Sequence, residues 1–188
     1  MIVNASRARR LGMVGPVALL AALVLALLAA GQLHLLDRLY ESLFGPPDLG
    51  EIAFETVTRR AAGNDALACP PGFCGTARID VAPSNYAASG GELRRRVRRY
   101  FAAQGAVLVG SDNARLHDRF VARTPLLRFP DTIDVEILPS DADHASLAVY
   151  SRSQLGSFDL GTNLRRIRAL LDALGPGVAS ASRELWRG

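Results

Sequence analysis

The stretch VYSRSQLGSFDLGTNLRRI, Val149 to Ile167, gathers side chains able to grip or attack a substrate: Arg152, Ser153, Asp159, Asn163, Arg165 and Arg166. Two more candidates, Asp131 and Asp134, precede them in RFPDTIDVEILP. Arginines beside a helix N-terminus and glycine-loop amides suit a carboxylate or phosphate. The same residues also suffice as joinery between a strand and a helix. Thr162 or Asn163 can cap the helix, Gly156 and Gly161 permit positive φ, and Asp159 can bond loop amides. Sequence leaves both readings open. A third chemistry is hydrolysis, with Asp131 or Asp159 acting alongside Arg152 on a developing anion.

Established catalytic patterns do not support hydrolysis. The chain has no G-x-S-x-G, no Walker loop, no H-E-x-x-H and no dinucleotide fingerprint. Its serines, aspartates and three histidines do not assemble into a triad from spacing alone, and His117 is the only base that falls within a strand. A binding or scaffolding role needs fewer unseen parts than an enzyme. Neither a cofactor nor a metal site is expected: zinc ligation would have to draw His117 and His144 from separate segments.

The two cysteines, Cys69 and Cys74, lie in NDALACPPGFC at C-x4-C spacing, which is neither a redox nor a zinc-knuckle pattern. In an oxidising compartment an even pair is most simply a disulfide, with Pro70, Pro71 and Gly72 turning the chain between them.

These residues must be positioned by regular elements. ARIDVA (77–82) alternates as a short strand. Ser89 and Glu92 form an S-x-x-E capping box ahead of an amphipathic helix. Leu93, Val97, Tyr100 and Phe101 share its apolar face, while Arg94, Arg95, Arg96, Arg98 and Arg99 read as its solvated side. Strand-like segments follow at 106–109, 114–123, 127–138 and 145–153, separated by short turn-rich connections that argue for hairpins. A last helix begins near Asn163 with Leu164, Ile167, Leu170, Leu171 and Leu174 as its stripe, and Gly175-Pro176 ends it.

The expected domain is α+β, an antiparallel sheet in β-α-β-β-β-β-α order with both helices on one face. That order resembles the TATA-binding-protein-like architecture or half of a helix-grip fold. In the 127–138 strand Asp131 shares parity with Ile133, Val135 and Ile137, which points it toward the core unless a bulge at Pro130 flips it outward. A turn centred near Ala142 pairs Val135 with Val149, Ile133 with Ser151 and Asp131 with Ser153. On the other face Asp134 lies diagonal to Arg152.

The N-terminus has a different character. Met13 to Leu36 contains no charged residue, which meets the roughly 20 apolar residues needed to span a bilayer. Arg7, Arg9 and Arg10 precede the run, so the N-terminus is expected to stay cytoplasmic and the rest to face the periplasm. The run exceeds an ordinary signal-peptide core, which favours an uncleaved anchor. The expected organisation is a cytoplasmic N-terminus (1–12), a transmembrane signal-anchor (13–36), a juxtamembrane helix and linker (37–50), a globular domain (51–175) and an irregular tail (176–188).

Charge adds little. The net charge of +4 comes entirely from arginines, since no lysine occurs, and all 18 acidic residues and 19 of 22 arginines lie from Asp37 onward. That part is nearly neutral, so no footprint for nucleic acid remains.

The blocks NDALACPPGFC, RFPDTIDVEILP and YSRSQLGSFDLGTN, in this order, resemble the bacterial domain of unknown function 1499 family over about Glu51 to Leu174. The resemblance implies a membrane-attached or exported protein. It places Asp131, Asp134, Arg152, Ser153, Asp159 and Asn163 in the signature stretches and supplies no catalytic residues. The expected protein is thus a single-pass inner-membrane chain. It presents to the periplasm a binding or scaffolding domain for a protein partner or a small anionic or amphiphilic ligand, with an envelope hydrolase as the alternative.

Overall fold

The computed structural model describes the backbone of residues 5–32 and 34–177 and the side chains of 15–29 and 34–177. It divides into two units, residues 1–45 with 124–128, and residues 46–123 with 129–188. The irregular tail expected at 176–188 falls almost wholly outside the described residues, as does the N-terminal end of the expected cytoplasmic segment.

The first unit contains helices α1 (Ala5–Gln32) and α2 (Leu35–Phe44). His34, in the left-handed region, precedes α2, and Gly45, at φ 82°, ends it, where the sequence expects the Gly-Pro-Pro stop. Within this unit Arg128 grips the Asp37 carboxylate at 2.6 and 3.0 Å. The expected span at Met13–Leu36 is only partly covered by described side chains. Among the described residues, no helix is long and apolar enough to cross a membrane.

The second unit is a five-stranded antiparallel sheet with two helices. Its strands are β1 (Asp65–Ala68), β2 (Val107–Asp112), β3 (His117–Arg123), β4 (Pro130–Pro139) and β5 (Ala145–Ser153), in spatial order β1-β5-β4-β3-β2. Helix α3 (Gly90–Ala103) follows β1, and α4 (Thr162–Leu174) follows β5. The expected β-α-β-β-β-β-α order holds, but the first strand is misplaced in the sequence reading. Residues 77–82 make only a single parallel bridge, Val81 to Ala68, beside the true strand. The cause is local: Asp80 satisfies the amide of Leu67 through its side chain and donates its own N–H to the Leu67 carbonyl, while Cys69 N–H bonds Val81 O. These irregular bonds replace a ladder.

The β4–β5 register is the expected one: Val135 faces Val149, Ile133 faces Ser151, and Asp131 faces Ser153. Ser89 caps α3, its hydroxyl accepting from the Glu92 amide at 3.4 Å. Leu93, Val97 and Phe101 of α3 and Ile167 and Leu170 of α4 bury against Phe120, Ile133, Val135, Ile137, Leu147 and Val149, so both helices cover one face of the sheet. One correction concerns α3: Arg94 is not on a solvated side but buried, where it bonds Asp118 of β3.

The other face of the sheet is covered by the irregular segment 46–80. Phe54 and Val57 pack with Leu67, Cys69, Cys74, Ala148 and Tyr150 in a second, smaller cluster. Residues 46–50, read from sequence as linker, are tied to the sheet: Arg119 grips Asp48 at 2.7 and 2.9 Å, and Leu49 N–H bonds the Thr132 hydroxyl. The disulfide Cys69–Cys74 is formed and fully buried in this cluster. Closing so short a loop contributes about 2 kcal/mol by chain entropy. The double replacement of both cysteines by serine will therefore lower the unfolding free energy measured by urea titration by about 2 kcal/mol, plus a further cost for two buried hydroxyls, while leaving the far-UV circular dichroism unchanged.

Candidate functional site

The side chains singled out from the sequence divide between the two faces of the sheet. On the helix side, Asp131 is clamped by Arg166 of α4 at 2.6 Å. Arg166 also donates to the Ser151 hydroxyl (3.0 Å) and to Asn163 Oδ1 (2.8 Å). Ser151 Oγ donates to Asn163 Oδ1 at 2.6 Å, and Asn163 Nδ2 reaches Ser153 Oγ and the Asn64 carbonyl. Asp159 accepts from the amides of Gly161 and Asn163, each at 2.8 Å, so it caps α4 in place of the expected Thr162 or Asn163. Arg165 stands outside this network, bonded to Leu160 O and Thr162 Oγ1 on the surface.

Asp131, Ser151, Ser153 and Asn163 are all buried, and their side chains bond one another, Arg166, Asp159 and the Asn64 carbonyl. That arrangement is joinery: a satisfied network pinning α4 onto the end of β4 and β5. It explains why a carboxylate can sit among core residues without an energetic penalty for an unpaired charge.

Arg152 belongs to the opposite face, as strand alternation requires of the residue between Ser151 and Ser153. Its guanidinium meets Asp134 Oδ2 at 3.2 Å, donates to the Gly50 carbonyl, and lies 5.5 Å from the centre of the Tyr150 ring. Asp134 is wholly buried and is shared with His117, whose Nε2 lies 3.1 Å from its other oxygen. On the far side of His117, Nδ1 faces Glu136 at 3.5 Å and Glu51 at 3.7 Å without a hydrogen bond. Arg115 bridges those two glutamates at 2.9 and 3.1 Å. Burial pushes the Glu136 carboxyl above its ordinary range, with Arg115 and His117 opposing the shift.

Tyr150 donates its hydroxyl to Asp65 at 2.5 Å, and Asp65 also accepts from Arg59 and from the Arg60 amide. Burial raises the Asp65 carboxyl, but the bonds from Arg59, the Arg60 amide and Tyr150 overcome it and hold the group below its ordinary value. Burial and the neighbouring Asp65 push the Tyr150 phenol well above the usual tyrosine range, so it stays a hydrogen-bond donor.

Above Tyr150 and Arg152 a cleft of about 380 Å3 opens between β5 and residues 49–60. Leu49, Ile52, Ala53 and Val57 give it apolar walls, and Arg60 and Arg152 give it two guanidiniums; no carboxylate lines it. The Arg60 guanidinium donates to the carbonyl of Ser153 and forms no ion pair among the described residues, while its backbone amide bonds Asp65. Arg152 is 8% exposed, and its Nε has no hydrogen-bond partner. A second cleft of the same volume, between 81–86 and α4, contains Arg168 together with Asp172 and is therefore balanced in charge.

Of the eight residues marked from sequence, only Arg152 lines the first cleft, with Asp134 behind it. Arg60, Tyr150, Leu49 and Ile52 were missed. The paired Arg59-Arg60 was the visible signal, but nothing in the spacing indicated that irregular backbone would carry it to the end of β5. Among the described residues no group of His, Cys, Asp and Glu is placed to hold a metal ion.

A family model described as "Protein of unknown function (DUF1499)" matches residues 57–174. No curated protein and no solved structure matches the chain.

Proposed function

The chain belongs to the DUF1499 family of proteins of unknown function, and from that premise we propose that it is a membrane-anchored, periplasm-facing domain that binds a small ligand. The anchor is the uncharged run Met13–Leu36, with Arg7, Arg9 and Arg10 on its cytoplasmic side. Exposed apolar side chains on α1, among them Val17, Leu19, Leu20 and Leu25, suit a helix surrounded by lipid. The observation that carries the binding reading is the cleft beside β5, with apolar side chains and two arginines in its lining. Pockets with a few convergent polar groups in an apolar lining are the usual seat of small ligands.

Hydrolysis finds no support in the geometry. Asp131 and Arg152 lie on opposite faces of the sheet, Asp159 is committed to capping α4, and neither Ser151 nor Ser153 touches a histidine. A nucleophile with a base in hydrogen-bond reach is the minimum requirement.

Native mass spectrometry of the full chain, released from amphipol, tests the reading. The expected result is a fraction of the protein carrying added mass that is diminished in Arg60→Gln and retained in Asp131→Asn. Added mass lost equally from both variants, or none in any preparation, including one incubated with envelope extract, would refute it.

A further inference from the structure

We propose that the cleft beside β5 takes a monoanionic amphiphile with a single short chain, a carboxylate head facing Arg60 and Arg152 and an apolar chain lying along Leu49, Ile52 and Val57. This rests on the binding reading above and assigns it a ligand class.

The head group follows from charge. Arg60 brings one positive charge whose guanidinium forms no ion pair among the described residues, its amide alone meeting Asp65. Arg152 brings a second, met by Asp134, which also serves His117. Asp65, behind Tyr150, is met by Arg59, so the two lining guanidiniums set against Asp134 leave one positive charge on the cleft wall. An anion entering the cleft would meet the Arg60 charge that no carboxylate side chain among the described residues neutralises, beside the buried Arg152 Nε that has no hydrogen-bond partner among them. Arg60 also reaches the carbonyl of Ser153, the residue after Arg152, and both arginines line the cleft. A planar guanidinium matches a carboxylate particularly well. Tyr150 cannot compete for the head, since its hydroxyl is held by Asp65.

The chain follows from the remaining wall. Leu49 is 37% exposed although it stands on a segment otherwise fixed to the sheet, and Ile52 and Val57 continue the apolar surface. Among the described residues no acidic side chain lines the cleft to receive an ammonium. Its volume of about 380 Å3 lies near the floor of the roughly 300–1,000 Å3 typical of ligand sites, which suits a single short chain.

Isothermal titration of the full chain in amphipol, with empty amphipol as blank, tests the assignment using octanoate, octanol, acetate and octyl phosphate. Octanoate is expected to bind at least tenfold more tightly than either octanol, which lacks the charge, or acetate, which lacks the chain. Arg60→Gln should weaken octanoate at least tenfold without shifting the melting temperature, and Ile52→Ala should weaken octanoate but not acetate. Equal affinity for octanol and octanoate would overturn the charged end, and tenfold tighter octyl phosphate would overturn the carboxylate. No binding of any probe would overturn the ligand class. If native mass spectrometry still showed an Arg60-dependent adduct, the broader binding reading would survive that failure.

Discussion

Asp134→Ala is expected to cost about 3–5 kcal/mol of stability, the usual penalty for removing one partner of a buried ion pair. Asp134 is 0% exposed and serves two cationic or potentially cationic groups at once, Arg152 at 3.2 Å and His117 at 3.1 Å. Its removal leaves the Arg152 guanidinium with the Gly50 carbonyl and the face of Tyr150, neither of which carries a full negative charge. It also leaves His117 Nε2 without its partner, at a residue only 2% exposed and packed 5.8 Å from the Phe54 ring. Urea unfolding followed by circular dichroism measures the loss. A double-mutant cycle with His117→Ala should show a coupling of about 0.5–3 kcal/mol, because both changes remove the same contact. A loss below about 1 kcal/mol for Asp134→Ala would mean that water or rearrangement replaces the carboxylate. Because Arg152 lines the cleft, the variant should also disturb ligand binding, whereas Asp131→Asn, on the opposite face, should not.

Arg94→Ala should be comparably damaging, at about 3–5 kcal/mol, although a helical wheel would rank it among the solvated arginines. Arg94 is 7% exposed and grips Asp118 at 2.7 and 3.0 Å. It also donates to Ser111, Asn113 and the carbonyls of Asp112 and His117. It therefore ties α3 to β3 and to the β2–β3 turn together. Arg98, the second partner of Asp118, is more exposed, so Arg98→Ala should cost less. Lysine at position 94 should recover only part of the loss, since an ammonium lacks the planar fork.

The pH dependence of these variants follows from Asp118. Burial raises its carboxyl, but the bonds from Arg98 and Arg94 prevail and hold it below its ordinary value of 3.8. A carboxyl depressed in the folded state adds stability above the unfolded value and loses it as pH falls through the folded one. The native protein should thus lose this contribution only below about pH 3.8. Over the same range the gap between native protein and Arg94→Ala should narrow, because a protonated Asp118 no longer needs its arginine. A gap independent of pH down to pH 2 would assign the loss to packing rather than charge.

Much of the second unit was legible before any coordinates. Apolar alternation in β4 and β5 and the polar turn between them specified the hairpin register residue by residue, because a slip by one would turn Ile133, Val135 and Val149 outward. The Ser89 cap, the stripe of α4 and the cysteine pair were local signals with local outcomes. Parity also set Asp131 apart from Asp134 and placed Arg152 diagonal to the latter, but it left Asp131 and Arg152 paired in the hydrolytic reading until the ion pairs on opposite faces separated them.

What the sequence by itself determined, then, is every element whose hydrophobic period states which way its side chains point. Tertiary structure alone decided what covers the second face of the sheet. Residues 46–80 have little regular backbone, so no period announces that Asp48 meets Arg119, that Gly50 receives Arg152, or that Arg60 arrives at the end of β5. The same limit hid β1, four residues buried on both sides and so without alternation, and Arg94, whose burial depends on Asp118 from a distant strand. Period reports orientation within an element; the partner across a long loop is chosen by packing and charge pairing that only the folded chain brings together.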